Sequence, residues 1–207
     1  TANVAMVGSF KTGSGDDTIN ITDALVATVA NNRTIDAGDG ADSLVFAAND
    51  DFSAATLTLT GFETLNVAAS GVVLSGAQVS GKGYSIVGDL GSDTLAVNAS
   101  SGTGETIDIS TSEIVLATVT VTGGNGSDIL TGSAGSATVI VGGAAADTIT
   151  GGTAADTITG GTGIDTINLG TGGAGDDVNY GGVAEMIAAD RDVINDFVAG
   201  ATNSDTV

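Results

Sequence analysis

The chain has 207 residues and a formal charge of −21, with 25 acidic side chains against Lys11, Arg33, Lys82 and Arg191. Four scattered cations cannot neutralise a phosphate backbone, which excludes a nucleic-acid partner. The absence of His and Cys excludes disulfides, imidazole- or thiolate-bound metals and any Ser-His-Asp or Cys-His nucleophile, so no enzymatic activity is expected.

Apolar residues make up 42% but aromatics only 3%, and thirty-three glycines stand without one proline. This composition predicts a thin ladder of branched aliphatics broken by flexible turns, rather than a core built on large rings. No run of about 18 apolar residues exists, so no membrane span is predicted. The opening "TANVAMVGSFKTG" is neither basic nor long enough for a secretory leader, and it lacks an initiator Met. The chain is therefore expected to be a piece of a longer protein.

In chain order, "TGSGDDTIN" (Thr12–Asn20) is a Gly/Asp turn running into a polar-apolar-polar triplet. "TDALVATVANN" from Thr22 could form a short helix. "AGDGADSLV" (Ala37–Val45) repeats the turn-and-triplet. "ATLTLTGFETLNV" (Ala55–Val67), "GYSIVGDLGSDTLAV" (Gly83–Val97) and "EIVLATVTVTGG" (Glu113–Gly124) are alternating, β-rich runs separated by Gly, Ser and Asn. From Gly123 the pattern becomes tandem: "GGNGSDILT", "GSAGSATVI" and, after Val141, "GGAAADTIT", "GGTAADTIT" and "GGTGIDTIN". An irregular copy, "GGAGDDVNY" (Gly172–Tyr180), follows. "VAEMIAAD" after Gly182 is a second helix candidate, and Asp190, Asp192 and Asp196 there suit a helix cap as well as a metal.

The repeat is Gly-Gly-x-Gly-x-Asp-x-aliphatic-x. Its first six residues can only turn, and its last three read as a short strand with one inward side chain. Two units close a coil of 18 residues, and coils stack at the strand spacing of ~4.8 Å. Ile149 and Ile167 should then sit above one another, with Ile158 facing them from the opposite sheet. The fold class is all-β, a right-handed parallel β-helix/β-roll solenoid. Residues 1–122 are expected to form irregular rungs, 123–180 the tandem roll and 181–207 a flanking segment, in one continuous solenoid.

Stacking places Asp128, Asp147 and Asp165 along one edge and Asp156 and Asp177 along the other. Carboxylates ~4.8 Å apart repel by roughly 3–4 kcal/mol at an effective dielectric near 20, and no basic residue lies within 123–168. A cation must therefore enter. Carboxylate and carbonyl oxygens, with no nitrogen or sulfur, suit several Ca²⁺ ions better than Mg²⁺.

The tandem units resemble the calcium-binding nonapeptide of the RTX (repeats-in-toxin) proteins, and "DRDVINDFVAG" (Asp190–Gly200) resembles the segment that often follows such arrays. "GFETLNVAASG" (Gly61–Gly71) with the Thr/Val-rich rungs is similar to calcium-dependent bacterial surface-layer (S-layer) proteins of that class. The resemblance implies type I secretion from a Gram-negative cell and places ligands at positions two, four and six of each unit. Those are Gly124, Gly126 and Asp128; Gly143, Ala145 and Asp147; Gly152, Ala154 and Asp156; Gly161, Gly163 and Asp165. Asp177 is a further carboxylate ligand, and Asp17, Asp42 and Asp93 stand in isolated copies.

Ala137 stands where "GSAGSATVI" should carry its aspartate, so that site should be lost or weakened. Ala145 and Ala154 replace a glycine at some backbone cost. The Asp50-Asp51 pair lacks anything to position a sugar, "GSGDDT" lacks the lysine of a phosphate loop, and the Thr array is too interrupted for a flat ice-binding face. Three roles follow: a calcium-dependent S-layer module that self-assembles on the cell surface, with surface polysaccharide as a partner of another domain; the spacer of a secreted adhesin; or the calcium-dependent C-terminal domain of a secreted hydrolase.

Overall fold

The computed structural model describes residues 2–3, 9–21, 33–47, 51–53, 57–68, 71–88, 93–99, 102–170, 175–181 and 191–197. Both helix candidates, 22–32 and 183–190, lie outside these.

Every strand pairing among the described residues is parallel, and the chain winds as a β-solenoid. The first face begins with Phe10–Ser14, Arg33–Asp39 and Leu57–Thr60. The second holds six strands: Ala2–Asn3, Thr18–Ile21, Ser43–Phe46, Thr64–Val67, Ser85–Gly88 and Glu113–Val115. The third runs through Val72–Ser75, Thr94–Asn98, Thr118–Gly124, Thr138–Ala144, Thr157–Thr162 and Asp177–Val178. The short helix Gly76–Val79, which periodicity does not foreshadow, packs between Leu57–Thr60 and Thr106–Asp108 on the first face. Its capping box joins Ser75 and Gln78, and the Gln78 amide donates to the Phe52 carbonyl at 3.2 Å. Beyond the helix the first face continues through Thr106–Asp108, Ile129–Thr131, Thr148–Gly152, Thr166–Gly170 and Val193–Asn195.

The cross-section changes along the axis. Among the described residues the second face stops at Glu113–Val115, and after Thr118–Gly124 the chain alternates between the first and third faces alone. A three-sided prism thus narrows to a two-sided roll. Residues stacked one coil apart are 25 positions apart at Asp17 and Asp42, 23 at Glu105 and Asp128, and 18 at Asp147 and Asp165.

The interior follows. In the roll it is the expected aliphatic ladder: Ile149 pairs in register with Ile167, while Ile140, Ile158 and Val178 stack on the opposite face, all at most 2% exposed. Each such side chain contributes about 1.5–3 kcal/mol by leaving water. The prism is wider, and rings fill it, contrary to the composition-based expectation. Phe46 and Phe52 are fully buried with centroids 5.2 Å apart, and Phe62 and Tyr84 are nearly so. The few aromatics are concentrated where a third wall leaves space for them.

Candidate metal centre

Side chains alternate along a strand, and the triplet Asp-x-Ile therefore turns Asp and Ile the same way. Asp156, Ile158 and Gly160 all face inward, and so do Asp147, Ile149 and Gly151. This is why the aspartates are buried: Asp128, Asp147, Asp156 and Asp165 are at most 2% exposed.

Each carboxylate is held by the coil before it. On one edge Glu105 N–H donates to Asp128 Oδ1 at 2.6 Å and Asp128 N–H to Asp147 Oδ1 at 2.8 Å. Asp147 N–H then donates to Asp165 Oδ1 at 2.8 Å, and Asp165 N–H to Asp192 Oδ1 at 2.9 Å. On the other edge Thr138 N–H donates to Asp156 Oδ1 at 2.7 Å and Asp156 N–H to Asp176 Oδ1 at 2.8 Å. One oxygen of each carboxylate is thereby fixed. The other, Oδ2 of Asp128, Asp147 and Asp156, is buried without a hydrogen-bond partner.

The glycines explain themselves at this oxygen. A Cβ on Gly123 would stand 2.5 Å from both Asp128 Oδ2 and the Gly142 carbonyl oxygen; on Gly151 it would stand 2.8 Å from Asp156 Oδ2 and from the Leu169 carbonyl oxygen. Two acceptors thus face a gap that exists only because the residue has no side chain. At the second position Gly124, Gly143 and Gly161 stack in register with φ of 112°, 115° and 102°, a region closed to most residues. A Cβ on Gly161 would overlap the Gly143 carbonyl oxygen. Gly152 has φ 154° against the Ser133 carbonyl, and Gly163 has φ 128° against that of Ala145.

Electrostatics fits the same picture. Burial, partly opposed by the hydrogen bond from Asp128 N–H and reinforced by the charges of Asp165 and Asp128, raises Asp147 from 3.8 to about 6. Burial likewise raises Asp156 to about 6, opposed by the Thr138 N–H and reinforced by Asp176. Among the described residues no three acidic side chains converge, so a cation would take carboxylate oxygens one or two at a time and complete its shell with carbonyls. An all-oxygen set with orphaned, buried anionic atoms fits a hard divalent cation.

Residues 119–139 and 136–167 match the family model of the RTX calcium-binding nonapeptide repeat, in four copies. This segment, less than half of the chain, is similar to RTX calcium-binding arrays. No curated relative and no solved structure matches the chain. RTX arrays bind Ca²⁺ ions, and calcium is the cation for which the orphaned oxygens of this one are suited.

Three expectations are corrected by the register. Asp176, not Asp177, stands in the second RTX column; Asp177 pairs with Thr157 and is exposed. The inward aliphatic decides this, since Val178 must face the core and the residue two before it is Asp176. For the same reason Thr138, not Ala137, takes the missing aspartate's place, two before the inward Ile140. The extra residue consequently lies in the turn before Thr138 rather than at Val141. Ala145 does adopt φ +76°, whereas Ala154 does not have a positive φ.

Outside the array, Asp42 is fully buried and stacks between Asp17 and Glu63. Asp93 is 1% exposed beside Gly88, but the coil after it places Ala117 opposite, outside the Thr138–Asp156–Asp176 column. Glu63, Glu105, Asp176 and Asp192 join columns that the nonapeptide frame did not assign to them. Each begins an acid-x-aliphatic triplet: Glu-Thr-Leu, Glu-Thr-Ile, Asp-Asp-Val and Asp-Val-Ile.

Proposed function

We propose that this chain is a calcium-dependent structural module of a secreted bacterial surface-layer protein, in which Ca²⁺ completes the roll and the stiffened solenoid self-assembles outside the cell. The observation that carries the calcium half of this reading is the buried aspartates Asp128, Asp147 and Asp156, each with one oxygen held and the other orphaned. Without a cation these charges oppose stacking, so ion binding is folding energy. Asp128, Asp147, Asp156 and Asp165 supply the carboxylates. Carbonyls of the stacked turns at Gly124, Gly126, Gly143, Ala145, Gly152, Ala154, Gly161 and Gly163 complete the shell.

The assembly half is supported by the surplus charge of −21, which keeps modules apart until a divalent cation bridges them, and by the likeness of the Thr/Val-rich rungs to surface-layer proteins. Residues 123–180 are the calcium-driven unit in this reading, with 1–122 the continuing rungs and 181–207 its flank. Type I secretion belongs to the same proposal.

Electron microscopy and light scattering before and after calcium addition test it. Ordered sheets that dissolve in chelator are expected. Folding in calcium to a monomer that never assembles would overturn the surface-layer role and favour a spacer or secretion module.

A further inference from the structure

We propose a second cation column, separate from the RTX array, at the edge between the first and second faces, with Asp42 as its central ligand and Asp17 and Glu63 on either side. It rests on the calcium reading of the array, because the same construction recurs. Asp17 N–H donates to Asp42 Oδ1 at 2.7 Å, and Asp42 N–H to Glu63 Oε2 at 2.6 Å. Asp42 is 0% exposed, and its Oδ2 has no hydrogen-bond partner. A carboxylate fixed by one oxygen, with the other buried and orphaned, is what the array presents at Asp128, Asp147 and Asp156.

The backbone around it is built alike. Gly15, Gly38 and Gly61 have φ of 100°, 97° and 71°. A Cβ on Gly40 would come within 2.6 Å of the Gly15 carbonyl oxygen, and one on Gly61 within 2.7 Å of that of Gly38. Stacked carbonyls therefore line the turns beside the acids. Lys11, on the neighbouring strand of the first face, is engaged by Asp36. The column ends on its own terms: the coil after Glu63 places Tyr84 in register, and the next places Ser112.

The spacing hides it from a nine-residue search, since its members lie 25 and 21 positions apart. It also differs chemically. Five residues before Asp42 stands buried Ala37, where the array has glycine. The gap beside the aspartate is thus partly filled, and a glutamate's longer arm supplies the neighbouring carboxylate. The occupant is a hard divalent cation of calcium's size, bound as a class distinct from the array ions.

Calcium stoichiometry on the full chain, by equilibrium dialysis and calorimetric titration, tests this with Asp42→Asn and, as array control, Asp147→Asn. Asparagine keeps the acceptor for Asp17 N–H and removes the charge. The expected result is at least one ion fewer in each variant, with the thermal midpoint of Asp42→Asn in chelator not lowered. Unchanged stoichiometry in Asp42→Asn alongside a loss in Asp147→Asn would overturn the second column and leave the array intact. No loss in either would overturn both. Should Asp42→Asn fail to fold, Glu63→Gln, at an exposed side chain, is the second variant, and full calcium binding by it overturns the column.

Discussion

The backbone N–H of Asp128 donates to Oδ1 of Asp147, 19 residues and one coil later, at 2.8 Å. The Asp147 side chain thereby does two jobs: a single oxygen ties consecutive coils together, and its twin, buried without a hydrogen-bond partner, is left for a cation. The division implies that charge and hydrogen bonding can be separated by mutation. Asp147→Asn keeps the acceptor and removes the anion. In chelator it should be at least as stable as the parent, because a buried charge disappears. In calcium it should lose the stabilisation of its site, about 2.7 kcal/mol when calcium stands at a hundredfold its dissociation constant. Thermal melts with and without calcium check this; a variant less stable in chelator would show that the charge itself holds the coil.

Protons compete with calcium for the same atoms. With Asp147 and Asp156 raised from 3.8 to about 6, mainly by burial, the calcium-free fold binds protons more tightly than the unfolded chain does. That contribution is fully present below about pH 4 and is lost as pH rises through about 6. The calcium-free chain should therefore melt higher at pH 4.5 than at pH 7.5. Calcium should reverse the order, since its ligands must be ionised. Melting from pH 4 to 8 in chelator and in calcium reads both limbs, and an equal midpoint across the chelator series contradicts them.

Gly161 has φ +102°, and a Cβ there would overlap the Gly143 carbonyl oxygen. Gly161→Ala should cost about 3 kcal/mol, combining left-handed strain and the steric clash. The calcium needed to reach half-maximal β-structure by circular dichroism should rise accordingly. A neutral result would mean that the turns are not stacked this closely.

The opposite change is available one rung away. Ala145 is held at φ +76° in a position whose register partner in the next coil is Gly163. Ala145→Gly relieves roughly 1–2 kcal/mol of left-handed strain and returns part of it as extra freedom of the unfolded chain. A net gain of about 0.5–1 kcal/mol is expected from denaturant unfolding in saturating calcium.

How far these positions were legible in the sequence depends on which part of the repeat carried the register. The turn-and-strand alternation, the pairing of Ile149 with Ile167 and the buried columns at Asp128, Asp147 and Asp165 follow from period alone. Counting nine from a glycine failed at Asp177 and Ala137, because turns tolerate an added residue while strands do not. Reading back two from each inward aliphatic finds Asp176 and Thr138, and Glu63 and Glu105 as well. The narrowing from three faces to two showed in the sequence only as longer early rungs, 25 positions per coil against 18 in the roll; the number of faces depends on which strand of an earlier coil each rung meets. The Gly76–Val79 helix was likewise set by its place between two strands of the first face rather than by its own four residues.

Thr138 is the natural place to complete the second RTX column. It is 1% exposed, its N–H already donates to Asp156 Oδ1, and its hydroxyl accepts from Ser133 N–H at 3.1 Å while donating to the Ser136 carbonyl. Gly132, six residues before it, faces the Gly151 carbonyl oxygen, and a Cβ on Gly132 would stand 3.2 Å from the Thr138 hydroxyl oxygen. An aspartate there would accept from Ser133 N–H in the hydroxyl's stead and add one anionic oxygen to the gap beside Gly132. Thr138→Asp should therefore bind one more calcium than the parent, and its folding should demand more calcium, because another buried charge must be neutralised. In chelator it should be less stable than the parent, by about 1–3 kcal/mol for a buried polar group left unpaired. Dialysis stoichiometry and chelator melts measured together decide it. An added ion with lowered chelator stability is the expected pair, and destabilisation without an added ion would mean that the irregular turn at 132–137 holds its carbonyls out of reach.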